Sequence, residues 1–322
     1  MSRPHFLSQL GHVELISPKP EETVTFFRDV IGMVETAREG QSVYLRAWGD
    51  THKHTLKITE GPETALGHIG WRADSAEALG EVAKFLEDMG AGIGWIEGDN
   101  GHGPAYRFRS PDGHIEEVFW EVERYEAPPE LRSVWKNRPS KNMRKGISPR
   151  RLDHVTIQSS TVTADREFYQ KLGFKYHEGI YVDRTMQKEM GAWLSVSNLS
   201  HDIAVVRDPR GERGQLNHVC YAVESREEVL LAADHIIESG YRLEMGGPTR
   251  HALAEGFFFY VLEPGGHRFE LYAGAHLIFD VDYPTKIWFF DEDPNDAWGG
   301  KTPWNPDGSQ KEEFTSEKVR RA

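Results

Sequence analysis

Cysteine and long apolar runs are the two features that this chain has least of. Its 322 residues include a single cysteine, Cys220, which excludes an intramolecular disulfide and favours a reducing compartment. No apolar run is long enough to cross a bilayer, and the first residues lack the apolar stretch of a secretory signal. We therefore expect a cytoplasmic protein that does not bind membranes.

Positive charge is also in deficit. The chain has 38 lysines and arginines against 51 acidic residues, a formal net charge of −13. Such a charge repels phosphate backbones and argues against nucleic acid as the partner. Hydrophobic residues make up 38% and charged residues 28%, as in globular proteins, and the length suits two domains. Fifteen histidines hint at metal chemistry.

One local pattern occurs four times: a histidine at the head of a strand-like run. The four histidines are His12, His68, His154 and His218. The second and fourth segments end alike, with Glu117 and Glu270 each six residues after a proline. Each segment reads as a strand, a helix and three further strands. One such module cannot bury both faces of its sheet, so we expect the modules to pair.

The repeat predicts an α+β fold of four βαβββ modules paired into two domains. We place an N-terminal domain at 1–125, a linker rich in proline and basic residues at 126–149, a C-terminal catalytic domain at 150–275 and a tail at 276–322. The tail holds tryptophans as far as Trp304, and we expect it to wrap a domain and to fray near 312–322.

Two helices are predicted from apolar spacing. In the second module Leu79, Val82, Ala83 and Leu86 share one face, and Gly90 ends the helix. In the fourth module we assign one side of the helix, before Gly240, to the residues Val229, Leu230, Ala233, Ile236 and Ile237.

Strand alternation assembles a candidate metal site in the second half. His154 and Thr156 point to one face of their strand. If a local two-fold axis relates modules three and four, His154 and His218 lie on neighbouring central strands and face one cavity, where Glu270 supplies a carboxylate. Two imidazoles and a carboxylate leave open positions on an octahedral ion, as in non-heme Fe(II) centres, although Mn(II) accepts the same ligands.

Four stretches carry a resemblance to a known family. They are Arg250 to Tyr272, Leu152-Asp153-His154-Val155, Leu216-Asn217-His218-Val219 and Leu199-Ser200-His201-Asp202. Over nearly its whole length the chain resembles the two-domain type I extradiol catechol dioxygenases of the vicinal oxygen chelate superfamily. The resemblance implies an enzyme that inserts both atoms of O2 into a catechol and opens the ring next to the diol, giving a muconic semialdehyde. It also implies a homo-oligomer, a tetramer or a dimer.

The resemblance assigns roles to individual residues. It implies that His154, His218 and Glu270 bind Fe(II), or alternatively Mn(II). It implies that His201 moves a proton, that Tyr260 hydrogen-bonds a substrate oxygen and that His251 positions the ring. The pocket for substrate and oxygen would be lined by Trp193, Thr156 and Phe258.

The first half keeps the same residue types, His12, His68 and Glu117, at matching positions. Four residues before its proline, however, it has Arg107, where the second half has Tyr260. A phenol is therefore missing, and an arginine directed into the pocket would oppose a bound cation. His54 does stand where His201 would. We interpret this set as a vestigial site, with metal binding there left open as an alternative, and place ring cleavage in the second half.

Two stretches without arginine or lysine indicate the charge of the substrate. Neither residues 245–248 nor residues 287–293 contain a cation that would bind an acidic catechol, and the second stretch is aromatic, which favours a neutral catechol or one with an alkyl or aryl substituent. Two other functions stay open: a glyoxalase-like isomerase or lyase that uses a metal as Lewis acid, and a metal-free protein that binds small aromatic molecules or drugs.

Overall fold

The computed structural model describes residues 5–208 and 210–298 and has the α+β architecture predicted from the repeat. Two mixed sheets carry short helices. The first sheet consists of β1 (Leu7–Ser17), β2 (Val34–Glu39), β3 (Ser42–Arg46), β4 (Leu56–Glu60), β5 (Ala65–Ala73), β6 (Gly92–Ile96), β7 (Ala105–Arg109) and β8 (Ile115–Phe119). Its helices are α1 (Pro20–Thr25), which a π-helical turn at Phe26–Val30 extends, and α2 (Ala76–Asp88).

The second sheet repeats this plan and adds one strand. It consists of β9 (Arg151–Ser159), β10 (Lys175–Tyr181), β11 (Glu189–Ser195), β12 (Ile203–Arg207), β13 (Leu216–Ala222), β14 (Leu243–Arg250), β15 (Phe257–Leu262), β16 (Arg268–Ala273) and β17 (Lys286–Phe289). Its helices are α3 (Val162–Lys171) and α4 (Arg226–Glu238), and 3-10 turns lie at Pro129–Leu131, Leu253–Glu255 and Phe290–Glu292.

Strand order shows how the modules pair. The first sheet runs β2-β3-β4-β1-β5-β8-β7-β6 and the second β14-β15-β16-β13-β9-β12-β11-β10-β17. The leading strands of two modules, β1 with β5 and β9 with β13, are therefore antiparallel neighbours at the centre of each sheet. The strands lie within 7–119 and 151–289, whereas the domain limits at 125, 149 and 275 stay predictions.

The helix predictions are confirmed in position, but one face is wrong. Helix α2 buries Leu79, Val82, Ala83 and Leu86, as the spacing indicates. Helix α4 buries Val229, Ala232, Ala233 and Ile236. Leu230 and Ile237, which we assigned to that face, are exposed by about half, because each follows a buried residue and is rotated by about 100° to the flank of the helix.

The linker and the tail have little regular structure of their own. Residues 126–149 contain only the turn at Pro129–Leu131, and Ser140 is buried there with its hydroxyl donating to the Trp48 carbonyl. The tail returns to the second sheet, where β17 pairs in parallel with β10. Trp304 and residues 312–322 lie outside the described residues. No helix in the described ranges is long and apolar enough to cross a membrane.

One apolar core joins the two sheets. Phe27 packs edge-on against Phe269, and Trp71 does the same with Phe174. A polar contact crosses the same boundary: the buried Glu116 of β8 accepts hydrogen bonds from Trp71 Nε1 at 2.5 Å and from the Tyr169 hydroxyl of α3 at 2.7 Å. Burial raises the pKa of the Glu116 carboxyl to about 8.

The raised pKa of Glu116 predicts how stability changes with pH. Between the unfolded pKa, near 4.5, and about 8 the folded chain holds a proton that the unfolded chain has released. This group therefore makes the free energy of unfolding fall as pH rises, by at most about 1.4 kcal/mol per pH unit. The variant Glu116→Gln keeps the shape and cannot ionise. When denaturant unfolding is measured from pH 5 to 8.5, the free energy of unfolding should decline less for Glu116→Gln than for wild type. Equal slopes would contradict the buried proton.

Candidate metal centre

Register across the second sheet brings three predicted ligands together. Cys220 of β13 lies opposite His154 of β9 on one side and opposite Glu270 of β16 on the other. Residues that face each other across strands share one side of a sheet, so this row points into the concave face. His218 precedes Cys220 by two residues and points the same way. All three predicted ligands are buried.

The ligand atoms lie at the separations that a bound ion requires. Glu270 Oε2 is 3.0 Å from His154 Nε2 and 3.2 Å from His218 Nε2, and the two nitrogens are 3.4 Å apart. An octahedral ion with bonds of about 2.1 Å has neighbouring ligand atoms about 3.0 Å apart. The three side chains therefore form a face of a coordination shell and leave the opposite positions open.

Hydrogen bonds at Nδ1 turn the Nε2 atoms of both histidines toward the centre. His154 Nδ1–H donates to Asp153 Oδ1 at 2.8 Å, and His218 Nδ1–H donates to Asn217 Oδ1 at 2.8 Å. In its neutral form each imidazole presents an unprotonated Nε2 to the centre. Glu270 Oε2 is buried and has no hydrogen-bond partner. A divalent cation fits this donor set, because it satisfies the orphaned oxygen and both nitrogens at once.

The charges of the cluster are strongly coupled. Burial alone would raise the pKa of Glu270, but His218 and His154 lower that pKa well below its usual range. Burial lowers the pKa of His218 to about 4. Burial also acts to lower the pKa of His154, yet the neighbouring carboxylates of Asp153 and Glu270 outweigh it and raise the pKa to about 9. Without an ion this imidazole therefore holds a second proton, which a bound cation would displace from Nε2.

Two further predicted residues stand on the other side of the pocket. Tyr260 of β15 lies opposite Glu270, and its hydroxyl is 3.4 Å from His251 Nε2. His251 Nδ1–H donates to the Asn295 carbonyl of the tail at 2.6 Å, so its Nε2 is free to accept from Tyr260. The His251 ring stacks on Phe258, with centroids 3.7 Å apart. The tail thereby fixes the orientation and the proton of a pocket histidine.

His201 lies beside the ligands, just before β12. Its ring centroid is 4.0 Å from that of His154, and its Nδ1 is 3.1 Å from the Ser200 hydroxyl. Burial, and then the neighbouring His154, lower its pKa well below the usual value. The imidazole is therefore neutral near pH 7 and available to accept a proton.

The predicted pocket residues Trp193 and Thr156 share one row. Trp193 of β11 lies opposite Ala204, and Ala204 lies opposite Thr156. Thr156 in turn lies opposite His218. Trp193 also packs against a small apolar cluster beside the tail aromatics Trp288 and Phe290.

Sequence reasoning missed several residues that hold the centre in place. Asp153 orients His154 and is held by Arg151 at 2.7 Å, while Asn217 orients His218. Their signal was a polar residue directly before each histidine of the second half, where the first half has glycine. Glu178 had no such signal: it accepts from Trp288 Nε1 and from Ala254 N, which ties the tail to the sheet.

The first half brings its predicted set together as well. His12 Nε2 lies 3.4 Å from Glu117 Oε1, and His68 Nε2 lies 3.5 Å from it. His54 packs against His12, with centroids 5.1 Å apart. Arg107 lies opposite Glu117, as the count from the proline predicts, but its Nε donates to Oε2 at 3.1 Å and leaves Oε1 facing the histidines.

Comparisons with known proteins agree with this architecture. Residues 9–118 and 151–271 match the glyoxalase/bleomycin resistance protein/dioxygenase superfamily. The chain is 45% identical over 298 residues to a metapyrocatechase of Geobacillus stearothermophilus, covering 91% of this chain and 90% of that protein. It is 39% identical to a manganese-dependent 2,3-dihydroxybiphenyl 1,2-dioxygenase of Geobacillus genomosp. 3, covering 88% and 90%.

Solved structures give the same result. A 2,3-dioxygenase of Pseudomonas sp. KL28 superposes with a TM-score of 0.80 at 29% identity, covering 89% of this chain and 99% of that one. The homoprotocatechuate 2,3-dioxygenase of Brevibacterium fuscum superposes with a TM-score of 0.81 at 25% identity, covering 96% and 97%.

The Asp153 contact predicts an effect on metal affinity. Asp153→Asn keeps the size of the side chain but loses the charge that orients His154 and binds Arg151. Affinity for Mn2+ should fall by about ten- to a hundredfold, as is usual when a carboxylate behind a histidine ligand is removed. Titration followed by calorimetry measures it, with Asp208→Asn as control, since Asp208 is a buried carboxylate that accepts from Arg210 N and Glu212 N. Equal affinities in both variants would refute the role.

Proposed function

The chain belongs to the glyoxalase/bleomycin resistance protein/dioxygenase superfamily, and we propose that it is an extradiol catechol dioxygenase whose centre is His154, His218 and Glu270. The observation that carries this is the buried, unpartnered Glu270 Oε2, which faces the Nε2 atoms of His154 and His218 beside His201, His251 and Tyr260. The relatives at 45% and 39% identity bear the names of ring-cleaving dioxygenases.

A metal is the family's cofactor, and for this chain we propose Fe(II), with Mn(II) as the alternative. The relative named as manganese-dependent supports keeping both ions. When bound, the ion supplies adjacent open coordination positions and one-electron chemistry, which ground-state O2 needs in order to react with a closed-shell diol. The substrates are a catechol and O2, and the product contains all their atoms, so no external reductant is consumed.

The protein's own groups would position the diol and move its protons. The neutral His201 would accept a proton on the side where oxygen enters and return it later, since its pKa lies well below the usual value. On the other side, Tyr260 would hydrogen-bond a diol oxygen. His251 would hold that phenol in place, because its own Nδ1 proton is committed to Asn295.

Oxygen uptake tests the activity. After anaerobic reconstitution with Fe(II) or Mn(II), wild type should consume O2 with catechols and form a yellow semialdehyde. His154→Ala should lose the metal, whereas His201→Ala should keep it and turn over about 10²- to 10⁴-fold more slowly, the usual loss of a general acid–base. His267→Gln is the control, because His267 is buried but donates to the Ile16 carbonyl, outside the centre. Bound metal without O2 uptake for any diol would favour the isomerase or lyase instead.

We also propose a neutral or apolar-substituted catechol as substrate. The arginines beside the ligands are already held by carboxylates: Arg151 by Asp153 and Arg268 by Glu244. The tail packs Trp288 and Phe290 against the same apolar cluster as Trp193, and its Asp291 pairs with Arg184. Of the segment 245–248, the side chains at 245 and 246 lie outside the described residues.

Substrate preference is measured as kcat/KM. Catechol and methylcatechols should exceed homoprotocatechuate by about tenfold or more, because a buried carboxylate without a cation costs at least ~1.4 kcal/mol. A preference for homoprotocatechuate would overturn the assignment of a neutral substrate while leaving ring cleavage intact.

A homo-oligomer, dimer or tetramer, and a cytoplasmic location are further proposals. The first is supported by the exposed apolar residues Leu230, Leu231 and Ile237 on α4. The second is supported by a lone cysteine, Cys220, which is buried and free.

A further inference from the structure

A second cluster of metal-ligating side chains lies in the first sheet, and it includes a histidine outside the repeat. Glu117 Oε1 is 3.1 Å from His102 Nε2, which is closer than either His12 or His68. The Nε2 atoms of His12 and His68 are 2.8 Å apart. All four side chains are buried. We propose that this cluster binds a second transition-metal ion of the zinc class, with a structural role.

Proton positions support an ion in this cluster. His102 Nδ1–H donates to the Gly103 carbonyl at 2.9 Å; a carbonyl can only accept, so a neutral His102 presents a lone pair at Nε2. His102 Nε2 and Glu117 Oε1 are both buried without hydrogen-bond partners, although they face each other at 3.1 Å. Two lone pairs held this close in a low-dielectric interior repel each other, and a cation between them removes the repulsion.

A carboxylate behind one histidine completes the pattern of a metal site. His68 Nδ1 is 2.7 Å from Glu14 Oε2 and donates to it, which turns His68 Nε2 toward the cluster. Glu14 is itself held by Lys57 at 3.1 Å. Asp153 does the same behind His154 in the second half. Each cluster thus contains a histidine that a carboxylate orients from behind.

The separations from the carboxylate oxygen fit a tetrahedral shell, and His12, His102 and Glu117 have ligand atoms within 4.8 Å of one another. The 2.8 Å between the His12 and His68 nitrogens has to lengthen for His68 to become the fourth ligand. Tetrahedral bonds of about 2.0–2.1 Å place neighbouring ligand atoms about 3.3 Å apart. From Glu117 Oε1 to the three histidine nitrogens the distances are 3.1–3.5 Å. Gly70, opposite His12 on β5, makes room for the His12 ring, which a Cβ there would meet.

The ligand count separates this ion from the catalytic one. Three histidines and one carboxylate close a tetrahedral shell, as structural ions require, whereas the second half leaves positions open. His102 stands before the strand that precedes the glutamate strand, as His251 does. His251 Nε2, however, is 4.0 Å from Glu270 Oε1 and contacts Tyr260 instead. Arg107 fills the phenol position here and holds the other oxygen of Glu117.

A structural ion at this point would fasten a loop to the sheet. His12, His68 and Glu117 lie on the adjacent strands β1, β5 and β8, whereas His102 lies between β6 and β7. The ion would thus add a link between the loop and the three strands. His54, with both ring nitrogens buried and unpartnered, lies next to His12.

Zinc content of the full-length chain tests the proposal without any measurement of activity. In His154→Ala, whose catalytic site is removed, protein loaded with Zn2+ alone and desalted should retain one ion per chain by mass spectrometry. His154→Ala/His102→Gln should retain none. His154→Ala/His114→Gln should retain one, because His114 is equally buried in the same half but bonds to Ser110 and to the Gln215 carbonyl.

His154→Ala/Glu117→Gln provides a second, isosteric test in case the His102 variant does not fold, as judged by circular dichroism, and it should also retain none. If His154→Ala retains no zinc, the proposal is overturned, and the cluster is held together by protons. The proposal is also overturned if a folded His154→Ala/His102→Gln or His154→Ala/Glu117→Gln variant retains the ion. Neither result bears on ring cleavage.

Discussion

Electron pairs that face one another in a buried space are the constraint on which the rest of this structure depends. Glu270 Oε2 and the Nε2 atoms of His154 and His218 meet at 3.0–3.4 Å, and the carboxylate oxygen has no hydrogen-bond partner among the described groups. Such a point is unfavourable unless an ion fills it. Strand β13 pairs with β9 in antiparallel and with β16 in parallel, and these two pairings hold the three atoms in place. The three ligands lie on strands and not on flexible loops, so their geometry is present before any ligand arrives.

Duplication of one module explains why the protein has two such clusters, and the residues around each glutamate explain why they differ. Both sheets place the leading strands of two modules side by side, with a glutamate strand, β8 or β16, next to β5 or β13. In the second half Tyr260 faces the glutamate. In the first half Arg107 takes that position, and His102 approaches the carboxylate instead. The same scaffold thus supports an open centre and a closed one.

The sequence predicted what depends on period and repetition. Alternation along the strands placed His154, His218 and Glu270 on one face, and apolar spacing located α2. It could not predict contacts that depend on where a loop or tail folds back. His102 lies outside the repeat, and the hydrogen-bond partners of Glu178 are distant from it in the sequence. The exposed Leu230 shows a related limit: a helix of mixed composition has two plausible apolar stripes, and packing against the sheet selects one.

The carbonyl of Asn295, which holds the Nδ1 proton of His251, lies beyond the four repeated modules. Ala297 N likewise donates to the Arg250 carbonyl, so the tail is bound to the strand end that carries His251. A pocket residue therefore takes its tautomer from a part of the chain that duplication did not supply. Recombination between relatives has to respect this dependence. A chimera joined after β16 would inherit the ligands from one parent and the protonation pattern of His251 from the other, whereas a crossover in the linker would keep both together.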